Sequence, residues 1–475
     1  MKQIRRSMRI VSVLLIGMLL ASGAWLGFTV YSQGSRWLTN RYNPRLNSAK
    51  QNVEMGNIID RNGNVIASTG QTKDGPTRKY AGSKTVRRAL SQTVGDQMSM
   101  SGTGVETFHA GTLLGFSGSI IDRAWQFMSG SMYRGDDIKL TISSELSAYI
   151  YDQFPNKKHG AVAIINYKTG EVLALNSMPT YDPQTLANRK ADVDSSGSAY
   201  LNRNLQGQYT PGSAFKVVTL AAALENIPDV ISRTFNCTGP RMFGNSQVTC
   251  YGGAKHGKIN LAQALSESCN VTFAALAYEM GSAALIKKAE QMGFNDNFSF
   301  RDLVLYQSSI PTSIPDIGEL AWTGVGQGKL QVTPLHMAMI SGAIANGGLM
   351  KEPKLIQQVT GVGGIPRLRA ASGSYGQVIT KDTAGVIGQY MKLAVDKGTA
   401  TRAKVKGYTV CGKTGTAEVS NDKKADTDAW FIGYVDNDAA PYAIAIVIEK
   451  GGTGGSAAAP LAAKVLKKAI SLGLS

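Results

Sequence analysis

Three short polar motifs, in one fixed order, constrain this chain more than any other feature. They are Ser213-Ala214-Phe215-Lys216, Ser268-Cys269-Asn270 and Lys413-Thr414-Gly415-Thr416. None is informative alone. A second Lys-Thr-Gly stands at Lys168-Thr169-Gly170 between two apolar runs, where it reads as the turn of a hairpin. The order and the wide gaps carry the signal, because each gap is long enough to hold whole helices and strands. Distant stretches can therefore converge on one cleft.

The residue types fit serine acyl transfer. Ser213 follows Pro211-Gly212 and opens a helical pattern, with Lys216 one turn further on the same face. The positive field of a helix N-terminus favours a developing alkoxide and opposes a charged lysine, so Lys216 is placed to act as a base. The plainer reading of this fragment is a capping serine beside a solvated lysine. Ser268 and Asn270 fit a loop between helices, the hydroxyl able to pass a proton and the amide able to bind a peptide carbonyl. Read alone, that triplet is an ordinary helix terminus. Lys413-Thr414-Gly415-Thr416 continues a strand. Its glycine permits close backbone approach, its lysine and threonines suit a carboxylate, and an extended peptide could add along its edge.

The N-terminus sets the compartment. Lys2, Arg5, Arg6 and Arg9 precede an uncharged run from Ile10 to Val30, long enough to cross a bilayer. Ala21-Ser22-Gly23-Ala24 offers a cleavage site for a signal peptide, but the apolar run continues past it. An uncleaved anchor over residues 10–31 is expected, with residues 1–9 in the cytoplasm and the rest outside. Formal net charge is +17, which suits anionic lipids and wall polymers. No basic cluster with interleaved aromatics stands out, so no nucleic-acid partner is expected.

Residues 32–134 are polar and broken by glycine. Gly56 to Ala67 reads as a strand, an Asn-Gly turn and a returning strand, giving a small pedestal module. From residue 135 the pattern strengthens: a strand at Ile138–Ile142, a helix over Ser144–Gln153, and a hairpin through Lys168-Thr169-Gly170. A largely helical middle follows from Ser213 to Met391, then three strands and a C-terminal helix. The expected fold is mixed α/β, an antiparallel sheet flanked by helices with an all-helical subdomain alongside, over residues 135–475.

Four cysteines are present. Cys269 and Cys411 read as small buried residues. Cys237 and Cys250 could close a hairpin disulfide or bind zinc with His256. With only three ligands visible there, a disulfide or free thiols is the preferred reading, and no metal or cofactor is expected.

The chain resembles a class B penicillin-binding protein of the short kind without C-terminal wall-binding repeats. Besides the three motifs, the likeness rests on Asn43-Pro44-Arg45, Asp60-Arg61-Asn62-Gly63, Tyr181-Asp182-Pro183, Asn202-Arg203 and Tyr209-Thr210-Pro211-Gly212. It extends to Gly326-Gln327-Gly328, Thr333-Pro334-Leu335 and Ala429-Trp430-Phe431-Ile432-Gly433. The resemblance implies the penicillin-binding transpeptidase and serine β-lactamase-like fold. It also implies cross-linking of peptidoglycan stem peptides through a Ser213 acyl-enzyme formed on D-Ala-D-Ala, with Lys216 as base and Ser268 as proton relay. Asn270, Lys413, Thr414, Gly415 and Thr416 would bind substrate, and the backbone N–H groups of Ser213 and Thr416 would form the oxyanion hole. β-Lactams would acylate the same serine, and a separate glycan-polymerising protein would supply strands. Met55 and Asp428 depart from the arginine and histidine usual in the family. A β-lactamase, a D,D-carboxypeptidase, a β-lactam sensor and a division scaffold are the competing functions.

Overall fold

The structure is a computed structural model that describes residues 2–38, 50, 53–73, 75–116, 133–186, 198–369, 371–418 and 426–474. Asn43-Pro44-Arg45 lies outside these residues.

Alternating apolar runs build the centre. Five strands, β1 (Gly160–Asn166), β2 (Val172–Met178), β3 (Val410–Glu418), β4 (Thr427–Val435) and β5 (Tyr442–Ile448), form one sheet in the order β3-β4-β5-β1-β2. Every pair is antiparallel. Ala161, Ala163, Ile165, Ala443, Ala445 and Val447 enter one core, while Val162, Ile164, Tyr442, Ile444 and Ile446 enter the other. This period of two delivers side chains to both faces. Helix Pro334–Ala345, with Pro334 in its first turn, covers the first face and is buried along nearly its whole length. Ser144–Gln153, capped by Ser143, and Ala459–Ser471 cover the second. Lys168-Thr169-Gly170 is a turn, as its position predicts: Asn166 Oδ1 accepts from the N–H groups of Lys168 and Thr169.

The middle expected to be helical, Ser213 to Met391, is helical only in part: Leu349–Lys351 pairs with Ser374–Gln377, Ile356–Thr360 pairs with Pro366–Arg369, and two small pairs of strands lie earlier. Thr234–Cys237 pairs with Gly257–Asn260, and Arg241–Phe243 with Ser246–Val248. Strands of three or four residues are too short for alternation to reveal.

A second sheet has six strands, in the order Pro366–Arg369, Ile356–Thr360, Asp137–Leu140, Ile58–Ile59, Val65–Thr72 and Gly75–Tyr80. It draws on both sides of the boundary expected at 134/135. The turn at Asp60 is tied by its own carboxylate, which accepts from the backbone N–H groups of Asn62 and Asn64 and from the Ser144 hydroxyl. Burial raises the Asp60 pKa, but these hydrogen bonds outweigh it and hold the group below its ordinary value. Met55 is buried, and the cation at this corner is Arg78, which pairs with Glu106 at 2.6 Å and donates to Gly56 O.

Tyr181 and Asp182 tie the segment after β2 to the N-terminal stretch that carries Arg87 and Asp96. Tyr181 donates to Asp96 at 2.8 Å, and Arg87 grips Asp182 with two bonds of 2.8 and 2.9 Å. The Asp182 side chain is 1% exposed, so removing its partner strands a buried carboxylate. Arg87→Ala is expected to cost about 2–3 kcal/mol, read by denaturant unfolding of the purified protein.

Helix Lys2–Leu38 carries one long apolar stretch, Arg6–Thr29, of 24 residues with none buried. It fits a single-pass membrane anchor.

Candidate active site

The site begins at Gly212, whose φ of +53° turns the chain from Pro211 into a tight turn, Gly212–Phe215. A side chain there is excluded, since a Cβ would lie 2.6 Å from Thr416 O. The turn runs directly into helix Lys216–Asn226 and no side chain caps it, so Ser213 is not spent as a cap. The turn is 3-10, a geometry in which side chains three apart eclipse one another. Ser213 and Lys216 therefore share one line more closely than an α-helix would give. Ser213 is half-buried, whereas Lys216 is fully buried.

Lys216 Nζ lies 2.7 Å from Ser268 O, 2.6 Å from Asn270 Oδ1 and 3.2 Å from Ser268 Oγ. Lys413 Nζ reaches the same Ser268 Oγ at 2.9 Å and donates to Thr414 O at 2.8 Å. One hydroxyl thus bridges two buried amines. Burial lowers the Lys216 pKa to about 7, against an opposing pull from Cys269 and Cys250. Lys413 is held well below its ordinary value by burial and then by Lys216. A neutral Lys216 has two N–H groups, which match its two carbonyl-type acceptors. Its lone pair is then left to take a proton from a hydroxyl.

Ser268 adopts a left-handed φ of +61° in the loop between helices Leu261–Ser266 and Asn270–Gln291. Asn270 opens the second helix, and its amide donates to Thr249 O at 2.7 Å. That contact fixes which way the amide faces.

Strand β3 is the edge of its sheet and carries the third motif beside the serine turn. Gly415 makes this approach possible: a Cβ there would stand 2.9 Å from Pro211 O and 3.1 Å from Ala214 N. Behind the turn, Gly326 comes so close that its Cβ would fall 1.9 Å from Gly212 O. Thr416 is half-buried beside the turn, and its Oγ1 accepts from Gly454 N at 3.4 Å. Thr414 is buried, and its hydroxyl lies 2.7 Å from that of Thr399. Thr399 carries no sequence signal. It arrives through the turn after helix Lys381–Asp396, where its N–H donates to Ser266 O.

Several residues behind the resemblance form the scaffold of the turn. Trp430 Nε1 donates to Thr210 O at 3.1 Å, and Tyr209 packs edge-on against Trp430. Glu449 accepts from Tyr209 at 2.7 Å and from Arg203 at 2.8 Å. Asp428 accepts from Lys450 N and pairs in register with Ala417, the residue after the third motif.

Of the two readings preferred for Cys237 and Cys250, a disulfide or free thiols, the structure has free thiols: their sulfurs are 3.7 Å apart, and all four cysteines are free. Cys269, expected to be only a small buried residue, lies 3.7 Å from Cys250.

A serine on a tight turn, a buried lysine below it and an edge strand bearing a second buried lysine define an active-site serine acyltransferase of the Ser-x-x-Lys kind. The chain belongs to the penicillin-binding protein transpeptidases and, among them, to class B. The family model for the penicillin binding protein transpeptidase domain matches residues 160–467. A peptidoglycan D,D-transpeptidase, PbpA of Mycobacterium tuberculosis, is 30% identical over 375 residues, 73% of this chain and 75% of the relative. The structure of penicillin-binding protein A from M. tuberculosis as a ceftriaxone acyl-enzyme superposes with a TM-score of 0.82 at 27% identity, covering 89% of this chain and 99% of that one. A D,D-transpeptidase domain from Eggerthella lenta gives 0.77 at 31% identity, covering the same shares.

Proposed function

We propose that this chain is a membrane-anchored peptidoglycan D,D-transpeptidase acting through a Ser213 acyl-enzyme. The observation that carries the reading is the meeting of Lys216 and Lys413 on Ser268 Oγ, beside an edge strand pressed against the Ser213 turn. A D-Ala-D-Ala peptide pairs along β3 as an added strand, with its terminal carboxylate at Lys413, Thr414 and Thr416. Ser213 Oγ attacks the penultimate carbonyl while its proton passes to neutral Lys216. The N–H groups of Ser213 and Thr416 receive the oxyanion, each such donor being worth about 3–4 kcal/mol. Ser268, between the two amines, hands the proton to the departing D-alanine, and Asn270 holds the peptide. An amine from a neighbouring stem peptide then attacks the ester and forms the cross-link. The anchor places the catalytic domain outside the membrane, and a glycan-polymerising protein supplies the strands.

The test is fluorescent penicillin with the purified chain, followed by a D-Ala-D-Ala ester offered with an amine acceptor. Labelling near one per chain, slow release and transfer to the amine are expected. Rapid release of the label identifies a β-lactamase instead, and turnover to water alone a carboxypeptidase. Stable labelling without turnover identifies a sensor or scaffold.

A further inference from the structure

Four side chains from separate stretches meet beside the second motif: Cys237, Cys250, His256 and Cys269, with all four ligand atoms within 4.8 Å of one another. Cys237 ends one short strand, Cys250 follows the small hairpin, His256 precedes the next strand, and Cys269 is the middle residue of Ser268-Cys269-Asn270. The spacings exclude a disulfide and leave room for a metal ion. Cys237 Sγ to Cys250 Sγ is 3.7 Å, Cys250 Sγ to Cys269 Sγ is 3.7 Å, and Cys237 Sγ to His256 Nδ1 is 3.5 Å. A disulfide needs about 2.05 Å between sulfurs. A tetrahedron with Zn–S of about 2.3 Å and Zn–N of about 2.05 Å has S···S edges of about 3.8 Å and S···N edges of about 3.6 Å. The three distances match these edges, and the remaining ligand pairs lie within 4.8 Å.

Two further observations point the same way. The segment that carries three of the ligands has almost no core of its own. Apart from the cysteines, the only buried side chains between Cys237 and Ile259 are Phe243 and Val248. Such a stretch needs a staple to hold one shape. Cys269 also stands at the start of helix Asn270–Gln291, where the Thr272 hydroxyl donates to its Sγ at 3.2 Å. Donors around metal-bound thiolates are the usual outer support of such centres. The sequence alone hid the fourth ligand, since Cys269 lies within the catalytic motif.

We propose that Cys237, Cys250, His256 and Cys269 hold a structural zinc ion that fixes the Ser268–Asn270 loop, so that acylation at Ser213 depends on the metal. The coupling path is short. Cys269 separates the two residues that touch Lys216, Ser268 keeps a left-handed backbone, and Asn270 is tied to Thr249, the neighbour of Cys250. The acylation half rests on the function proposed above, whereas metal binding stands apart from it.

Full-length protein purified in detergent without chelator is assayed for zinc by mass spectrometry, and Co2+ is added to the apo form. About one zinc per chain is expected, with the visible d–d bands of a tetrahedral thiolate site for cobalt. Cys237→Ser, which changes a ligand that belongs to none of the three motifs, is expected to lower zinc affinity and the acylation rate by about 10–100-fold. Because that variant risks misfolding, the wild-type protein is also stripped with a chelator. Its penicillin labelling slows, and added Zn2+ restores it. Folded, penicillin-reactive protein with neither zinc nor cobalt bands overturns the site, as does a Cys237–Cys250 disulfide found by peptide mapping. Zinc that can be removed without slowing acylation overturns the coupling. Zinc-loaded protein that penicillin does not label supports the metal site and overturns the acyl-enzyme reading instead.

Discussion

Ser213→Ala takes up no fluorescent penicillin, and Lys216→Met, which keeps the nucleophile, is acylated about a thousandfold more slowly. The size of the second effect follows from losing a positioned base, typically worth 10²–10⁴-fold. Methionine nearly matches lysine in length, so the buried space stays filled. Two opposing terms decide the stability of that variant. Burying an amine is no longer needed, but Ser268 O and Asn270 Oδ1 lose their donor, at about 1–3 kcal/mol for each group left unpaired. The melting temperature is expected to stay within a few degrees of wild type, which separates a catalytic loss from unfolding. The pH profile adds a second signature. With burial lowering Lys216 to about 7, the amine is protonated and unable to accept below that pH. Wild-type acylation therefore rises about tenfold per unit as pH increases towards 7 and levels off above it. Lys216→Met loses this limb. A wild-type rate flat between pH 5 and 7 would reject Lys216 as the base.

The second large effect is expected at Gly326. Its φ of +98° is a conformation that side chains resist, and a Cβ would lie 1.9 Å from Gly212 O and 2.9 Å from Phe215 Cβ. Gly326→Ala must push the serine turn towards β3, where Gly415 leaves no slack. Displacing a nucleophile by about 1 Å can cost about 100-fold in rate, and backbone strain adds about 1–3 kcal/mol of instability. Gly328→Ala is the matched control. Its φ is also positive, at +78°, but its Cβ would meet only Thr323 Oγ1 at 4.0 Å. That variant should lose some stability and keep its acylation rate within a few-fold. Penicillin acylation kinetics and thermal unfolding, run on both variants, separate steric displacement of the turn from a generic glycine effect.

Much of this architecture was legible in the chain because local chemistry and tertiary demand coincide. Ser144–Gln153 forms where its capping serine and periodicity place it, and Lys168-Thr169-Gly170 turns because Asn166 organises the turn. The convergence of the three motifs was legible for a different reason: side chains suited to proton transfer and carboxylate binding recur in a fixed order, and the fold brings Lys216, Ser268, Asn270 and Lys413 within hydrogen-bond reach. Thr399 escaped because nothing local marks it. Only the close packing of its loop on Ser266 brings it to Thr414. The short hairpins escaped because three residues cannot display a period. Cys269 was assigned to packing, since its partners lie in stretches that only the fold gathers.

The edge position of β3, which is buried from Val410 to Gly415 and half-buried at Thr416, carries an evolutionary corollary. On the proposed function, a guest that pairs with it is recognised by its peptide skeleton, so varied decorations on that guest are tolerated. Drugs that imitate the skeleton exploit the same indifference. No codon change deletes a main-chain carbonyl, and only proline removes an N–H. On the proposed function, resistance then comes from shifting the serine turn through the residues that support it, such as Gly326 and Trp430, where each gain in exclusion also disturbs the native reaction.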